Sequence, residues 1–250
     1  MISVCVATHN AERYILEQLR SILIQLSEDD EVIVSDDGSE DATISLIESL
    51  QDNRIHILRY EQKCDYNKRK LPSYYYATAN FHNALEAANG DIIFLSDQDD
   101  KWRSDKVEIS LSYLQKYDIV CSNFSVIDGE GEMIQKEFWE KGRFSQMNLF
   151  KHLNYLPFRG CCLAFKKEVL ENAMPFPRYL FLHDCWIGLN AVLSHYNYKF
   201  IDEPLLFYRR HGNNVSSLES PNTFLFKVKY RLKLLWQVGL LNMKRKIGFA

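Results

Sequence analysis

Three carboxylates, Asp97, Asp99 and Asp100, follow directly on the apolar run Ile92-Ile93-Phe94-Leu95. A buried strand rejects charge. Acids at its carboxyl end are therefore expected to face a cation or polar ligand at the sheet edge, where open α/β sheets bind their ligands. Asp97 and Asp99 stand at i and i+2, which puts both on one face while the chain stays extended. Two carboxylates converging on one point raise each other's pKa unless a positive charge lies between them. A hard divalent cation, Mg2+ or Mn2+, answers that need, since it takes one or two protein carboxylates and leaves other positions to water and substrate phosphates. The same residues could instead form a solvated acidic turn, so the motif alone leaves both readings open.

Two further polar clusters stand at the ends of apolar runs: Ala7-Thr8-His9-Asn10, and Asp36-Asp37-Gly38-Ser39. No GxGxxG follows the first run and no GxxxxGK[ST] occurs anywhere, which argues against a dinucleotide oxidoreductase and a P-loop NTPase. An acidic edge binds phosphate only through a bridging cation.

These clusters need a frame. Strands are expected over 2–7, 31–35, 55–60, 91–96 and 118–127. Between them lie helices over 11–26, from 39 to about 51, over 77–88 and after Ser104, a candidate N-cap. Ile15, Leu19, Ile22, Leu23 and Leu26 recur at helical spacing, with Asn10 as N-cap, and Gly90 suits a helix C-terminus. Strands alternating with helices predict an α/β fold on a mostly parallel central sheet with flanking helices. Past Gly129 the alternation fails. A strand over 160–165, a helix over 184–195 and an extended stretch over 198–208 are expected within a less regular C-terminal half.

The 250 residues, 46% apolar, suffice for one large core. Six cysteines without CxxC spacing, several in apolar runs, read as reduced core residues of a cytoplasmic protein. No basic-then-apolar leader precedes the first strand, and no stretch approaches the ~20 apolar residues of a membrane span. Net charge is −3, yet from Phe224 onward there is no acid and seven Lys or Arg. An acidic body with a basic, Leu- and Trp-bearing tail speaks against nucleic acid as partner. The tail either docks on the domain or makes peripheral contact with anionic lipid at the inner face of a bacterial membrane. Its basic residues do not gather on one side at helical period, which favours docking.

The motifs together resemble the inverting family 2 glycosyltransferases of the GT-A fold, over roughly residues 2–217. The resemblance rests on Ala7-Thr8-His9-Asn10, where the family usually has Pro-Thr-Tyr-Asn, on Ser35-Asp36-Asp37-Gly38-Ser39, and on Ser96-Asp97-Gln98-Asp99-Asp100 with Trp102 and Lys106. It continues through His183-Asp184-Cys185-Trp186 and Tyr208-Arg209-Arg210-His211-Gly212-Asn213-Asn214. The last three motifs are most similar to bacterial rhamnosyltransferase-like members. The resemblance implies a nucleotide-binding half over about 1–127, an acceptor half over about 128–217 and a helical tail over 218–250.

It also implies roles. Ala7, Thr8, Asn10, Asp36 and Asp37 would surround the base and ribose, Asp97 and Asp99 would hold ribose and metal, and His211 would help bind metal or diphosphate. Arg209 or Arg210 would add positive charge there, although arginines are as readily plain surface residues. Asp184 would be the general base, with His183 a neighbour. As a helix cap alone, Asp184 would be worth ~0.3–1 kcal/mol. Residues 63–76 and 133–158 would flank the acceptor cleft, where Tyr74, Tyr75 and Tyr76 could stack on sugar rings. The expected reaction moves a sugar from dTDP-rhamnose or a UDP-hexose to a hydroxyl of a saccharide or lipid-linked saccharide, in surface polysaccharide synthesis. A sugar nucleotidyltransferase would need a Gly-rich basic first loop, which Thr8-His9-Asn10-Ala11 is not. A haloacid-type phosphatase would need its nucleophilic Asp early in the chain. A non-catalytic sugar-nucleotide binder or assembly partner remains the alternative from another class.

Overall fold

The computed structural model describes residues 1–60, 73–145, 147, 149–155, 157–177, 180–212, 214 and 224–246. In chain order the elements begin β1 (Ile2–Thr8), α1 (Ile15–Leu23), β2 (Glu31–Asp36), α2 (Thr43–Glu48), β3 (Ile55–Arg59), α3 (Ser73–Glu86) and β4 (Ile92–Asp97). They continue β5 (Lys101–Trp102), α4 (Lys106–Leu114), β6 (Ile119–Ile127), β7 (Met133–Gln135), α5 (Leu149–Tyr155), β8 (Leu163–Lys166), α6 (Lys167–Ala173), α7 (His183–Leu193), β9 (Tyr198–Arg209) and α8 (Phe224–Lys246). A 3-10 turn at Gly160–Cys162 leads into β8.

The described strands form one sheet in the order β3-β2-β1-β4-β8-β6-β9-β5, with β7 paired to β6 outside that path. β3, β2, β1 and β4 run parallel, as do β6 and β9; the short strands β8, β5 and β7 run antiparallel to their neighbours. The sheet is thus mostly parallel, as the alternation predicts. Both faces of its centre are covered: Val4, Cys5 and Val6 are sealed, as are Ile93, Phe94 and Leu95. Continuous apolar strands belong in such a position. The two halves of the chain share this sheet, because β8 from the second half lies between β4 and β6.

Registers decide where the polar clusters go. Thr8 pairs with Asp36 across β1 and β2, and Ala7 pairs with Asp97 across β1 and β4. Parallel strands in register end together, so the three clusters meet at one sheet edge.

Three local readings need correction. Asn10 is not the cap of α1. It sits at φ 50°, its Oδ1 accepts the Glu40 N–H at 2.9 Å, and α1 starts a turn later at Ile15. Ser104 caps nothing either, because α4 begins after Asp105 without a side-chain cap bond. Gly90 serves close packing rather than a left-handed helix end: a Cβ there would lie 2.6 Å from the Ser3 backbone nitrogen. The cysteines described, Cys5, Cys121, Cys161, Cys162 and Cys185, are buried and free, and Cys64 lies outside the described residues.

One buried group makes the fold acid-sensitive. His152 on α5 is enclosed by Phe158, Tyr198 and Phe200, and neither ring nitrogen has a hydrogen-bond partner among the described residues. Burial pushes its pKa down from 6.5 to about 4. The unfolded chain therefore takes up this proton first, and stability falls as pH drops from about 6.5 to about 4. Urea midpoints measured across that window should fall in the native protein and fall less steeply in His152→Leu.

Candidate active site

At the end of β1 and β2 the polar residues first bind one another. Asp36 is buried; its Oδ1 accepts from Thr8 Oγ1 at 3.1 Å and Ser39 Oγ at 2.5 Å, and its Oδ2 accepts from the Ser39 N–H at 3.0 Å. Thr8 is buried too, and its carbonyl accepts from Asn80 Nδ2 at 3.0 Å and from the Asp37 N–H at 2.9 Å. The Ser39 hydroxyl also accepts the Asn10 N–H at 2.9 Å. Thr8, Asp36 and Ser39 thus build a rigid cradle. Asp37, half-exposed, stands at its rim, and the half-buried Ala7 brings no side-chain polar group to it. Gln98 clamps this cradle to the third cluster: its Oε1 accepts the His9 N–H at 2.6 Å and its amide donates to the His9 carbonyl at 3.1 Å.

The three acids after β4 then diverge, because the chain leaves the strand at Asp97. Asp99 turns towards the end of β9: its Oδ2 lies 2.7 Å from His211 Nε2 and 3.2 Å from Asn214 Nδ2. Asp100 turns inward and is fully buried, with Oδ1 accepting the Arg209 N–H at 3.0 Å and Oδ2 without a hydrogen-bond partner among the described residues. Asp97, Asp100 and Cys161 present oxygen, oxygen and sulfur within 4.8 Å of one another. Burial pushes Asp97 up to about 7, the nearby Asp99 and Asp184 carboxylates push the same way, and Arg159 pulls against them. Burial, followed by the Asp99 and Asp97 carboxylates, raises Asp100 well above the carboxylate range.

Such a cluster fits a divalent cation. The carboxylate oxygens are hard ligands, an orphaned buried oxygen of Asp100 is among them, and the repulsion that lifts Asp97 is what a cation would remove. The thiol is a weaker candidate ligand, since its hydrogen bond with Cys162 and its burial hold Cys161 protonated. The cluster differs from the expected trio: Asp97 is in it with Asp100 and Cys161, while Asp99 is turned to His211 beside it.

Arg209 ends β9 and Arg210 follows it. Arg209 is buried, and its guanidinium donates to Glu17 Oε2 at 2.5 Å, to the Asp99 carbonyl at 2.9 Å and to the Gly129 carbonyl at 3.4 Å. It ties the β9 end to α1 and to the acidic loop, with its charge spent on that task. Arg210 is partly buried, and its N–H donates to the Ile127 carbonyl at 2.8 Å.

Asp184 opens α7. Its Oδ1 accepts the Cys185 N–H at 2.6 Å and its Oδ2 accepts the Gly160 N–H at 3.0 Å. The second bond, to a distant segment, is one a plain cap would not make. Two backbone donors fix the direction of this carboxylate. His183 is buried and stacked on Phe81 with ring centroids 4.2 Å apart, and burial lowers its pKa. It is a neutral packing neighbour. Tyr74 and Tyr75 pack on Phe181 just before α7, while residues 63–72 of the expected acceptor flank and Asn213 of the last motif lie outside the described residues.

Asn80, Arg159, Cys161 and Glu17 escape sequence reasoning. Each reaches the site across a long chain separation, and none sits in a strand-end acidic cluster. Gln98, at the centre of Asp97-Gln98-Asp99, was in view but without a role.

Known proteins place this arrangement. A profile of glycosyl transferase family 2 matches residues 3–173. The chain is 28% identical to the dTDP-rhamnosyl transferase RfbG of Shigella flexneri, covering 95% of the chain and 79% of that protein. It is 26% identical to the UDP-Glc:alpha-D-GlcNAc-diphosphoundecaprenol beta-1,3-glucosyltransferase WfgD of Escherichia coli, covering 77% and 70%. The crystal structure of S. aureus TarS in complex with UDP-GlcNAc superposes with a TM-score of 0.69 at 20% identity, covering 93% of this chain and 66% of that one. The chain spans about half to four fifths of the length of the curated relatives it matches. The fold is that of the GT-A glycosyltransferases, and the chain belongs to glycosyl transferase family 2.

Proposed function

We propose that the chain transfers a sugar, with inversion, from a UDP- or dTDP-linked donor to a hydroxyl of a saccharide or lipid-linked saccharide in surface polysaccharide assembly. One observation carries this reading: the β1, β2 and β4 registers bring Thr8, Asp36 and Asp97 to one edge, where Asp97 interacts electrostatically with Asp99 and with Asp184, a carboxylate held by two backbone donors. The donor of RfbG and the lipid-diphosphate acceptor of WfgD support it.

In this reading the base and ribose lie on the Thr8–Asp36 cradle near Ala7 and Asn10, with Asp37 accepting from their N–H or hydroxyl groups. Asp97, Asp99 and His211 hold Mg2+ or Mn2+. When bound, the ion supplies positive charge to the leaving diphosphate. Asp184 accepts the proton of the acceptor hydroxyl as that oxygen attacks the anomeric carbon from the side opposite the diphosphate. A general base of this kind takes the proton only as the hydroxyl turns acidic in the transition state. Arg209 holds the Asp99 loop in place, and Arg210 adds charge at the rim.

A thermal-shift series with UDP-glucose, UDP-GlcNAc and dTDP-rhamnose, each with Mn2+ or EDTA, tests this. A ligand at 100 times its Kd stabilises the native state by about 2.7 kcal/mol. For a chain of this size that raises the melting temperature by about 5 °C or more. The rise should appear with at least one donor and vanish in EDTA. No rise with any donor, or rises indifferent to EDTA, would refute the metal-bridged site.

The C-terminal helix supplies the second part of the proposal, contact with a bilayer. α8 docks through Leu234, Val238 and Leu241, yet Leu225, Leu232, Trp236, Leu240 and Met243 stand exposed on the opposite side, flanked by exposed Lys229 and Lys233. No helix among the described residues is long and apolar enough to cross a membrane. An apolar stripe edged by lysines, on a segment without acids, suits a surface of anionic headgroups. At ~1 kcal/mol per lysine, Lys229→Ala/Lys233→Ala should weaken sedimentation with phosphatidylglycerol vesicles about 30-fold. Equal sedimentation of both proteins, or none, removes this part alone.

A further inference from the structure

Arg159 interacts electrostatically with both Asp97 and Asp184. It is extended at the start of the Gly160–Cys162 turn, and the chain after it is pinned twice: the Gly160 N–H bonds Asp184 Oδ2 at 3.0 Å, and the Cys161 carbonyl accepts Lys106 Nζ at 2.6 Å. Three aromatic rings from separate elements hold its guanidinium. The centroids of Phe124, Tyr208 and Phe138 lie 4.9, 5.3 and 5.7 Å from it. The guanidinium interacts electrostatically with both Asp97 and Asp184, but forms no hydrogen bond or ion pair among the described residues.

This is an unusual way to keep an arginine. Cation–π contacts fix the position of the plane and satisfy none of the five N–H donors. A largely enclosed cation with its donors unspent is costly unless something anionic completes it. The acids nearby do not: Asp184 spends both oxygens on backbone N–H groups, and Asp97 is drawn to the cation only through space.

We infer that Arg159 is an anion subsite that binds the outer phosphate of the nucleoside diphosphate, held over Phe124, Phe138 and Tyr208 with its fork of donors turned to the leaving oxygens. The inference rests on the proposed transferase reading. In that reaction the bond between the anomeric carbon and the outer phosphate oxygen breaks, and its electron pair stays on the phosphate. A new bond forms from the acceptor oxygen, whose proton passes to Asp184. The group that gains charge would pass between the donor-side acid Asp97 and the acceptor-side base Asp184, the two carboxylates with which the ring-held Arg159 interacts. Guanidinium matches phosphate by two parallel hydrogen bonds, a geometry a lysine cannot reproduce.

Calorimetric titration in Mn2+ of UDP, dTDP, UMP and dTMP into the native protein, Arg159→Met and Arg159→Lys tests the subsite. Charge-assisted hydrogen bonds of this kind make Arg159→Met lose about 10- to 100-fold in affinity for the diphosphate that the native protein binds. The matching monophosphate should change by less than about threefold, and Arg159→Lys should recover part of the diphosphate loss. Unchanged diphosphate affinity overturns the inference, and so does an equal loss for both nucleotides, which would mark a structural role. If Arg159→Met does not fold, Arg159→Lys, which keeps the charge over the rings, must still lose diphosphate selectively. A native protein that binds neither diphosphate refutes the transferase reading itself; selective failure at Arg159 leaves that reading standing.

Discussion

Asp184→Asn lowers the rate of sugar transfer by about 10²- to 10⁴-fold while nucleotide binding persists, the range that loss of a positioned general base spans. The amide keeps the size of the side chain, and its oxygen can still accept one of the two N–H bonds from Gly160 and Cys185. The fold should therefore hold, with a melting temperature close to native. What is lost is the ability to take a proton. Single-turnover transfer assays with the donor found by thermal shift, run beside nucleotide titrations, separate the two effects. If Asp184→Asn turned over like the native enzyme, Asp184 would be a helix cap and the base would have to be sought elsewhere.

Asp99→Ala should abolish the Mn2+ dependence of donor binding and cut transfer by at least about 100-fold. Removing even an outer-shell support of a metal ligand costs 10- to 100-fold, and Asp99 is proposed as a ligand itself. The substitution also strips His211 Nε2 and Asn214 Nδ2 of the carboxylate they share. Asp100 is buried, bonded to the Arg209 N–H and clustered with Asp97 and Cys161, so Asp100→Asn should lower stability and weaken the Mn2+ dependence together. Native-like EDTA sensitivity in Asp99→Ala would place the ion elsewhere.

The strand ends were legible in the sequence because two simple facts determine them. Continuous apolar runs must be central strands, and parallel strands in register end at the same edge, so Thr8, Asp36 and Asp97 had to meet. The direction of each side chain was not legible. The i, i+2 argument for Asp97 and Asp99 holds only in extended chain, and β4 ends at Asp97, which sends Asp99 to His211 and Asp100 into the core. Arg209 reads in sequence as a charge beside a histidine; only its 2.5 Å bond to Glu17, far away in the chain, reveals a strut. Asn10 reads as a cap because asparagine prefers caps, yet it also tolerates the left-handed conformation it adopts here. Arg159 carried no local signal at all, since the rings that hold it come from β6, β9 and the segment after β7.

The struts between the acidic loop and the end of β9 make this centre a late product of synthesis. The Asp100 to Arg209 bond spans 109 residues and the Glu17 to Arg209 pair spans 192. Closing loops of that length is entropically slow, so a growing polypeptide can assemble β1 to β4 well before those partners have left the ribosome. In that interval the loop's carboxylates face water and repel without restraint. A pulse of protease during refolding should cut between residues 97 and 103 early and lose access there only when the last strand has docked.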